Sequence, residues 1–215
     1  MGSIQVWSAR RVAVIAMLAL AWAMLGGCSS AGGAKQLKGM RPPGPAYVGG
    51  VTMPEVEPGQ PDRTFHFRAA PGHVLFVYFG YTNCPDICPT TLSDLRRALR
   101  KVGGASARVE VAFVTVDPYR DTAEVLVPYL ASFTQGAHAL YPRTQQQLGQ
   151  AESAFGATSM VSKKPDGSFE VSHTGLAYIV DPTGHVLVQW DFGTSADVMA
   201  HDLRVLLAHP AGGPA

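Results

Sequence analysis

Hydrophobic positions are interrupted by polar ones along most of this chain, but not at its centre. Val74-Leu75-Phe76-Val77-Tyr78-Phe79 is a continuous apolar run closed by Gly80, the pattern of a strand buried on both faces. Beyond a loop, Leu92, Leu95, Leu99 and Val102 recur at helical spacing, leaving Arg96, Arg97, Arg100 and Lys101 for solvent. Pro89 suits the first helical position and Gly103-Gly104 the stop. A second buried strand follows over 109–116, and the three pieces predict a β-α-β unit with parallel strands and a right-handed crossover. Asp121 or Thr122 caps a further helix reaching about Phe133 and bent at Pro128. Thr144 and Gln147 have capping-box spacing for another, ending near Phe155. Pro165-Asp166-Gly167 marks a turn. Residues 174–180 and 185–190 flank Asp181-Pro182-Thr183-Gly184 as a hairpin. A last helix from about Ser195 carries Met199, Leu203, Leu206 and Leu207 on one side.

This order predicts an α/β fold, a mixed sheet flanked by helices on both faces, and it resembles the order of the thioredoxin-like core. No internal repeat is visible. The N-terminus follows other rules. Arg10 and Arg11 precede an apolar run over 12–25, shorter than the ~20 residues of a spanning helix. A basic start, a short apolar stretch and small residues describe a signal peptide over 1–27. Leu25-Gly26-Gly27-Cys28 resembles a bacterial lipobox, which implies lipidation at Cys28 and an exported, membrane-anchored, extracytoplasmic chain; ordinary signal cleavage and an uncleaved signal anchor are the other readings. Residues 28–46 are rich in Ser, Gly, Ala and Pro and read as a flexible tether. The folded domain is expected over 47–210, with a disordered tail at 211–215.

Composition adds limits. The 215 residues are 47% hydrophobic and 15% charged, enough for one domain with a proper core. The formal charge is +1; losing Arg10 and Arg11 with the signal lowers Lys+Arg from 17 to 15 against 16 acids. No basic excess remains, so nothing points to nucleic acid.

The chemistry falls in Gly80-Tyr81-Thr82-Asn83-Cys84-Pro85-Asp86-Ile87-Cys88-Pro89, after the first long strand, at the strand end where open α/β sheets bind ligands. Cys84 and Cys88 stand at i and i+4, so their sulfurs can meet as a disulfide or converge on one metal. Cys88 opens a helix, where free N–H groups and the dipole favour thiolate. So short a loop gains little from closure, which weighs against a purely structural bridge. Redox exchange and metal binding both stay open on this ground. Of seven histidines, His66, His138, His201 and His209 have no partner close in sequence, and His73 and His185 fall in turn segments. All six read as structural. His173 precedes the 174–180 strand, at an edge expected to abut the cysteine loop, although position alone does not make it a ligand.

Residues 78–89 are very similar to the signature stretch of the Sco/SenC family. Val116-Asp117-Pro118-Tyr119-Arg120-Asp121-Thr122 looks like its second hallmark, and Ser172-His173-Thr174-Gly175 like its third. The resemblance spans 47–208. It implies copper held by Cys84, Cys88 and His173, a soft set suited to Cu(I) and able to take Cu(II) with a further ligand. Structural zinc normally has four protein ligands, and no fourth donor is placed for it. Asp86 and Asp117 are candidates to orient or screen the ligands from behind. The implied partner is the cytochrome oxidase subunit carrying the CuA centre, to which the protein would deliver copper or whose cysteines it would reduce. A metallochaperone without turnover is the first reading. A thiol–disulfide oxidoreductase using the redox-active Cys84/Cys88 pair is the alternative. A peroxidase of the same fold has only the fold and an exposed thiol behind it. Ahead of the first long strand, 63–68 alternates like a short strand and looks abbreviated beside the β-hairpin usual in the family.

Overall fold

The computed structural model describes residues 36–44 and 46–208. The signal segment, Cys28 and the 211–215 tail lie outside them. The first two strands, β1 (Thr52–Glu55) and β2 (Arg63–His66), form a hairpin of four residues a side. β3 (Val74–Gly80) is buried at every position, which is why it carries no polar alternation. Each large apolar side chain placed there stabilises the fold by about 1.5–3 kcal/mol. The helix α1 (Ile87–Val102) follows, then a 3₁₀ turn over Gly103–Arg108 and β4 (Val109–Thr115). The chain continues through α2 (Ala123–Ala131), β5 (His138–Leu140) and α3 (Gln145–Phe155). It ends with β6 (Ser159–Lys163), β7 (Phe169–His173), β8 (Ala177–Val180), β9 (Val186–Trp190) and α4 (Ala196–Ala208).

Seven strands make one sheet in the order β2-β1-β5-β4-β3-β8-β9, with β6 and β7 paired apart as a two-stranded ribbon. β3, β4 and β5 run parallel and the remaining pairs antiparallel. The mixed sheet flanked by helices and the β-α-β unit are therefore as the pattern predicts. α1 packs against α4, α2 against β5 and α3 against β1.

Several boundaries differ, each for a local reason. α1 begins at Ile87, with Asp86 in the cap position, so Pro89 is the third helical residue. Its missing N–H costs nothing there, because the first four N–H groups of a helix have no partner within it. Thr144 accepts from the Gln147 N–H as a cap should, but Gln147 Oε1 accepts from the Arg143 N–H, one residue earlier than a reciprocal box requires. Thr122 occupies the α2 cap position without a side-chain bond, and Asp121 is used elsewhere. β8 starts only at Ala177, because 174–176 link the ribbon to the sheet.

The stretch before Tyr47 differs most from its composition. From Leu37 onward it lies against the domain. Leu37 is buried, Met40 exchanges both backbone bonds with Gln189, and Val186 donates to Ala46. Among the described residues no helix is long and apolar enough to cross a membrane.

Candidate metal centre

Three pieces of chain meet beyond the carboxyl end of β3. The strand ends at Gly80, a loop carries Cys84, and Cys88 sits in the first turn of α1. Gly80 is required for closeness: a Cβ there would stand 2.9 Å from Cys88 Sγ and 2.8 Å from Phe113 Cζ. The loop is pinned from β4's side by Asp121. This fully buried carboxylate accepts from the Thr82 N–H at 3.0 Å, the Thr82 hydroxyl at 2.5 Å and the Thr115 hydroxyl at 2.7 Å. The sequence offers Asp121 as a helix cap and as part of the second hallmark, but not as an anchor of the cysteine loop. The signal that marks it is the hallmark itself, whose second acid it is.

His173 arrives from the last position of β7 rather than from the strand that follows it. Its Nδ1 donates to the Thr174 carbonyl at 3.0 Å. A carbonyl can only accept, so the neutral ring carries its proton on Nδ1 and keeps a lone pair on Nε2. That Nε2 lies 3.6 Å from Cys88 Sγ, and the Cys88 N–H points to Cys84 Sγ at 3.4 Å. Donor atoms of Cys84, Cys88 and His173 all lie within 4.8 Å of one another, and they are the one such group among the described residues. Both cysteines are free thiols. Cys88 is fully buried, Cys84 is 8% exposed, and His173 is half-buried. Tyr78 and Tyr81 wall the imidazole edge-on, with centroids at 6.1 and 5.9 Å.

Burial sets the protonation of this cluster. It pushes the Cys88 thiol well above its ordinary range, with the neighbouring Cys84 adding to the rise against an opposing backbone hydrogen bond from Tyr81. Desolvation outweighs the helix N-terminus here, so the expected thiolate is a neutral thiol in the metal-free chain. Burial also lowers the His173 imidazole, which is neutral near pH 7. These shifts fix the sign of acid and base effects on the metal-free fold. A raised thiol stabilises fully below its unfolded value and the gain is lost as pH climbs through the folded one. A lowered imidazole stabilises above its unfolded value and the gain is lost as pH falls. The contribution of these two groups to the stability of the metal-free protein is therefore expected to be greatest between about pH 6.5 and 8.5, their reference values. Denaturant midpoints measured across pH check this.

The two acids expected behind the ligands act differently from each other. Asp86 is exposed and accepts from the Thr90 hydroxyl, a contact within the start of α1. Asp117 is buried, and its carboxylate accepts from Arg120 Nε. Arg120 in turn lies 4.8 Å from the Phe169 ring centroid and 6.0 Å from that of Tyr81. Phe169 opens β7, the strand that ends in His173. Asp117 is thus linked through Arg120 to the far end of the strand that carries His173. Arg120→Ala is expected to speed amide exchange over Phe169–His173 while the Thr82 amide, held by Asp121, stays protected. Unchanged exchange in β7 would remove Arg120 from that role.

Four of the other histidines find structural partners, some far along the chain. His138 meets Glu55 at 2.7 Å, His73 meets Glu110 at 2.9 Å and His201 meets Asp202 at 3.0 Å. His185 pairs with the Thr183 hydroxyl at 2.8 Å, and His66 is exposed. His209 lies outside the described residues.

Comparison with known proteins agrees with this geometry. A family model described as SCO1/SenC matches residues 59–208. A Stutzerimonas stutzeri protein provisionally named copper-binding is 33% identical over 126 residues, 58% of this chain and 61% of that one. The SCO2-like protein of Rickettsia prowazekii is 30% identical over 127 residues, 58% of this chain and 62% of its own. This chain thus spans about three fifths of the length of these curated relatives. Among solved structures, apo Sco1 of Thermus thermophilus superposes with a TM-score of 0.67 at 30% identity, covering 81% of this chain and 99% of that one. ScoI of Bradyrhizobium japonicum with copper bound gives 0.61 at 26% identity, covering 73% and 98%. With a thioredoxin-like sheet, its cysteine loop and a histidine brought to that loop, the chain belongs to the SCO1/SenC family.

Proposed function

We propose that this protein is a copper metallochaperone in which Cys84, Cys88 and His173 Nε2 hold one Cu(I), or Cu(II) when a further ligand joins. The observation that carries the reading is the convergence of two sulfurs and one lone pair within 4.8 Å, with the imidazole tautomer already set by Thr174. Two thiolates and an imidazole suit Cu(I). Loading requires each thiol to give up its proton, so copper affinity should rise with pH. The recipient is the cytochrome oxidase subunit bearing the CuA centre. The protein works outside the cytoplasm, held to the membrane by lipid on Cys28.

A thiol–disulfide oxidoreductase is the second reading, favoured by the closeness of two free thiols. Attack needs a thiolate, and burial raises the Cys88 thiol, so exchange would start from Cys84, the more exposed of the two sulfurs. One experiment separates the two. Reduced protein loaded with Cu(I) is mixed with the apo CuA subunit in its reduced form, and metal-free protein with the same subunit in its disulfide form. Copper appearing in the first recipient supports delivery. No transfer there, with the second recipient reduced as Cys84 and Cys88 become a disulfide, establishes the oxidoreductase instead.

A further inference from the structure

Residues 37–44 and 46–48 form a strap along the outer side of β9, and its direction determines where the chain leaves the domain. Met40 pairs with Gln189 and Tyr47 with His185 in antiparallel bridges, so the strap runs opposite to β9. β9 is antiparallel to β8 and β8 to β3, which makes β9 and β3 point the same way. The N-terminal end of the strap therefore heads for the end of the sheet where β3 gives way to the Cys84 loop. The neighbourhood of Phe192 agrees. This residue just past β9 lies where a Cβ on Gly175, two residues beyond His173, would meet it at 3.5 Å.

The strap is held by more than edge pairing. The fully buried carboxylate of Asp202 accepts from the Lys38 and Gly39 N–H groups at 2.8 Å each, from Trp190 Nε1 at 3.0 Å and from His201 Nδ1 at 3.0 Å. Hydrogen bonds to an ionised acceptor are the strong kind. Gly39 lies so close that a Cβ would stand 2.5 Å from Val188 Cγ2 and 2.6 Å from Trp190 Cδ1. Leu37 is buried beyond it. The strap also covers the open edge of β9, which would otherwise offer unpaired backbone groups.

We infer that the strap orients the domain, so that the end bearing Cys84, Cys88 and His173 faces the lipid surface and stays close to it. The inference rests on the reading of Cys28 as lipidated. Leu37 is nine residues from Cys28, and at 3.3–3.6 Å per residue the span is at most about 32 Å. With the strap released, free chain would extend to residue 48 and the span would reach about 70 Å. The fitting recipient is a membrane protein whose soft-metal site lies near the bilayer surface.

The test uses the full-length lipidated protein in nanodiscs whose headgroups carry gadolinium. The amides of Thr82, Thr174 and Gly193 should lose more signal than those of Gly72, Gly104 and Gly184 at the opposite end, and the Lys38 and Gly39 amides should be protected from exchange. Gly39→Val drives a side chain against Val188 and Trp190 and should lift the strap off β9; with the amides of β3 and β4 still protected as a check that the sheet is intact, it should expose the Lys38 and Gly39 amides and abolish the end-to-end difference. Equal or reversed signal loss in the wild type overturns the inference, and so does a difference that survives Gly39→Val. Failure of the protein to associate with nanodiscs overturns the lipid anchor as well, whereas copper bound by the same sample reports on the metal site separately.

Discussion

Replacing His173 with alanine is expected to weaken copper binding strongly while leaving the fold in place. The imidazole sits at the end of the β6–β7 ribbon, outside the seven-stranded sheet, so its loss removes little from the core. It does remove the third donor, and the two thiols stay where Gly80 and Asp121 place them. Removing a group that merely orients a ligand typically costs ~10–100-fold in affinity, and loss of the ligand itself should match or exceed that. The reduction potential of the Cys84–Cys88 pair should move much less, since neither sulfur is altered. Competition with a Cu(I) chelator and redox titration of the same variant measure both. Unchanged affinity would take His173 out of the site and favour the oxidoreductase.

Gly80→Ala should damage both stability and the site. The added methyl falls 2.9 Å from Cys88 Sγ and 2.8 Å from the Phe113 ring. β3 cannot retreat, because β4 and β8 bond it on either side. Overpacking of this kind costs about 1–3 kcal/mol, readable as a lower denaturant midpoint. The sulfur must also shift, and copper affinity should fall with it. Adding Phe113→Leu separates the two effects. It makes room on one side only, so stability should recover in part while the copper defect remains. Full recovery of copper binding in the double variant would mean that the ring, and not the sulfur, carries the strain.

What the sequence shows plainly is what repeats over many residues. The unbroken run of β3, the leucine spacing of α1 and the turn chemistry before β9 each predict an element that is present. β1 and β5 escape notice because four and three residues are too few for a period, and Pro54 interrupts one of them. The strap is illegible for a different reason: its hold is Asp202, 163 residues from Gly39, and local composition there is that of a linker. The two cysteines are recognisable from their spacing, and His173 from the hallmark around it. The state of Cys88 is not, since the helix end favours thiolate and only the three-dimensional burial shows that desolvation prevails. Arg120 is legible as part of a motif, but its contact with Phe169 exists only once the ribbon folds over it.

The most direct test of the account is X-ray absorption at the copper edge on the reduced protein loaded with Cu(I), with stoichiometry measured on the same sample. One copper per chain, with two sulfur scatterers and one imidazole nitrogen, is the expected result. The nitrogen should vanish in the His173→Ala variant, and tight binding should be absent once Cys84 and Cys88 are oxidised to a disulfide. Copper coordinated by sulfur alone in the wild type, or held tightly by the oxidised chain, would contradict the shared site.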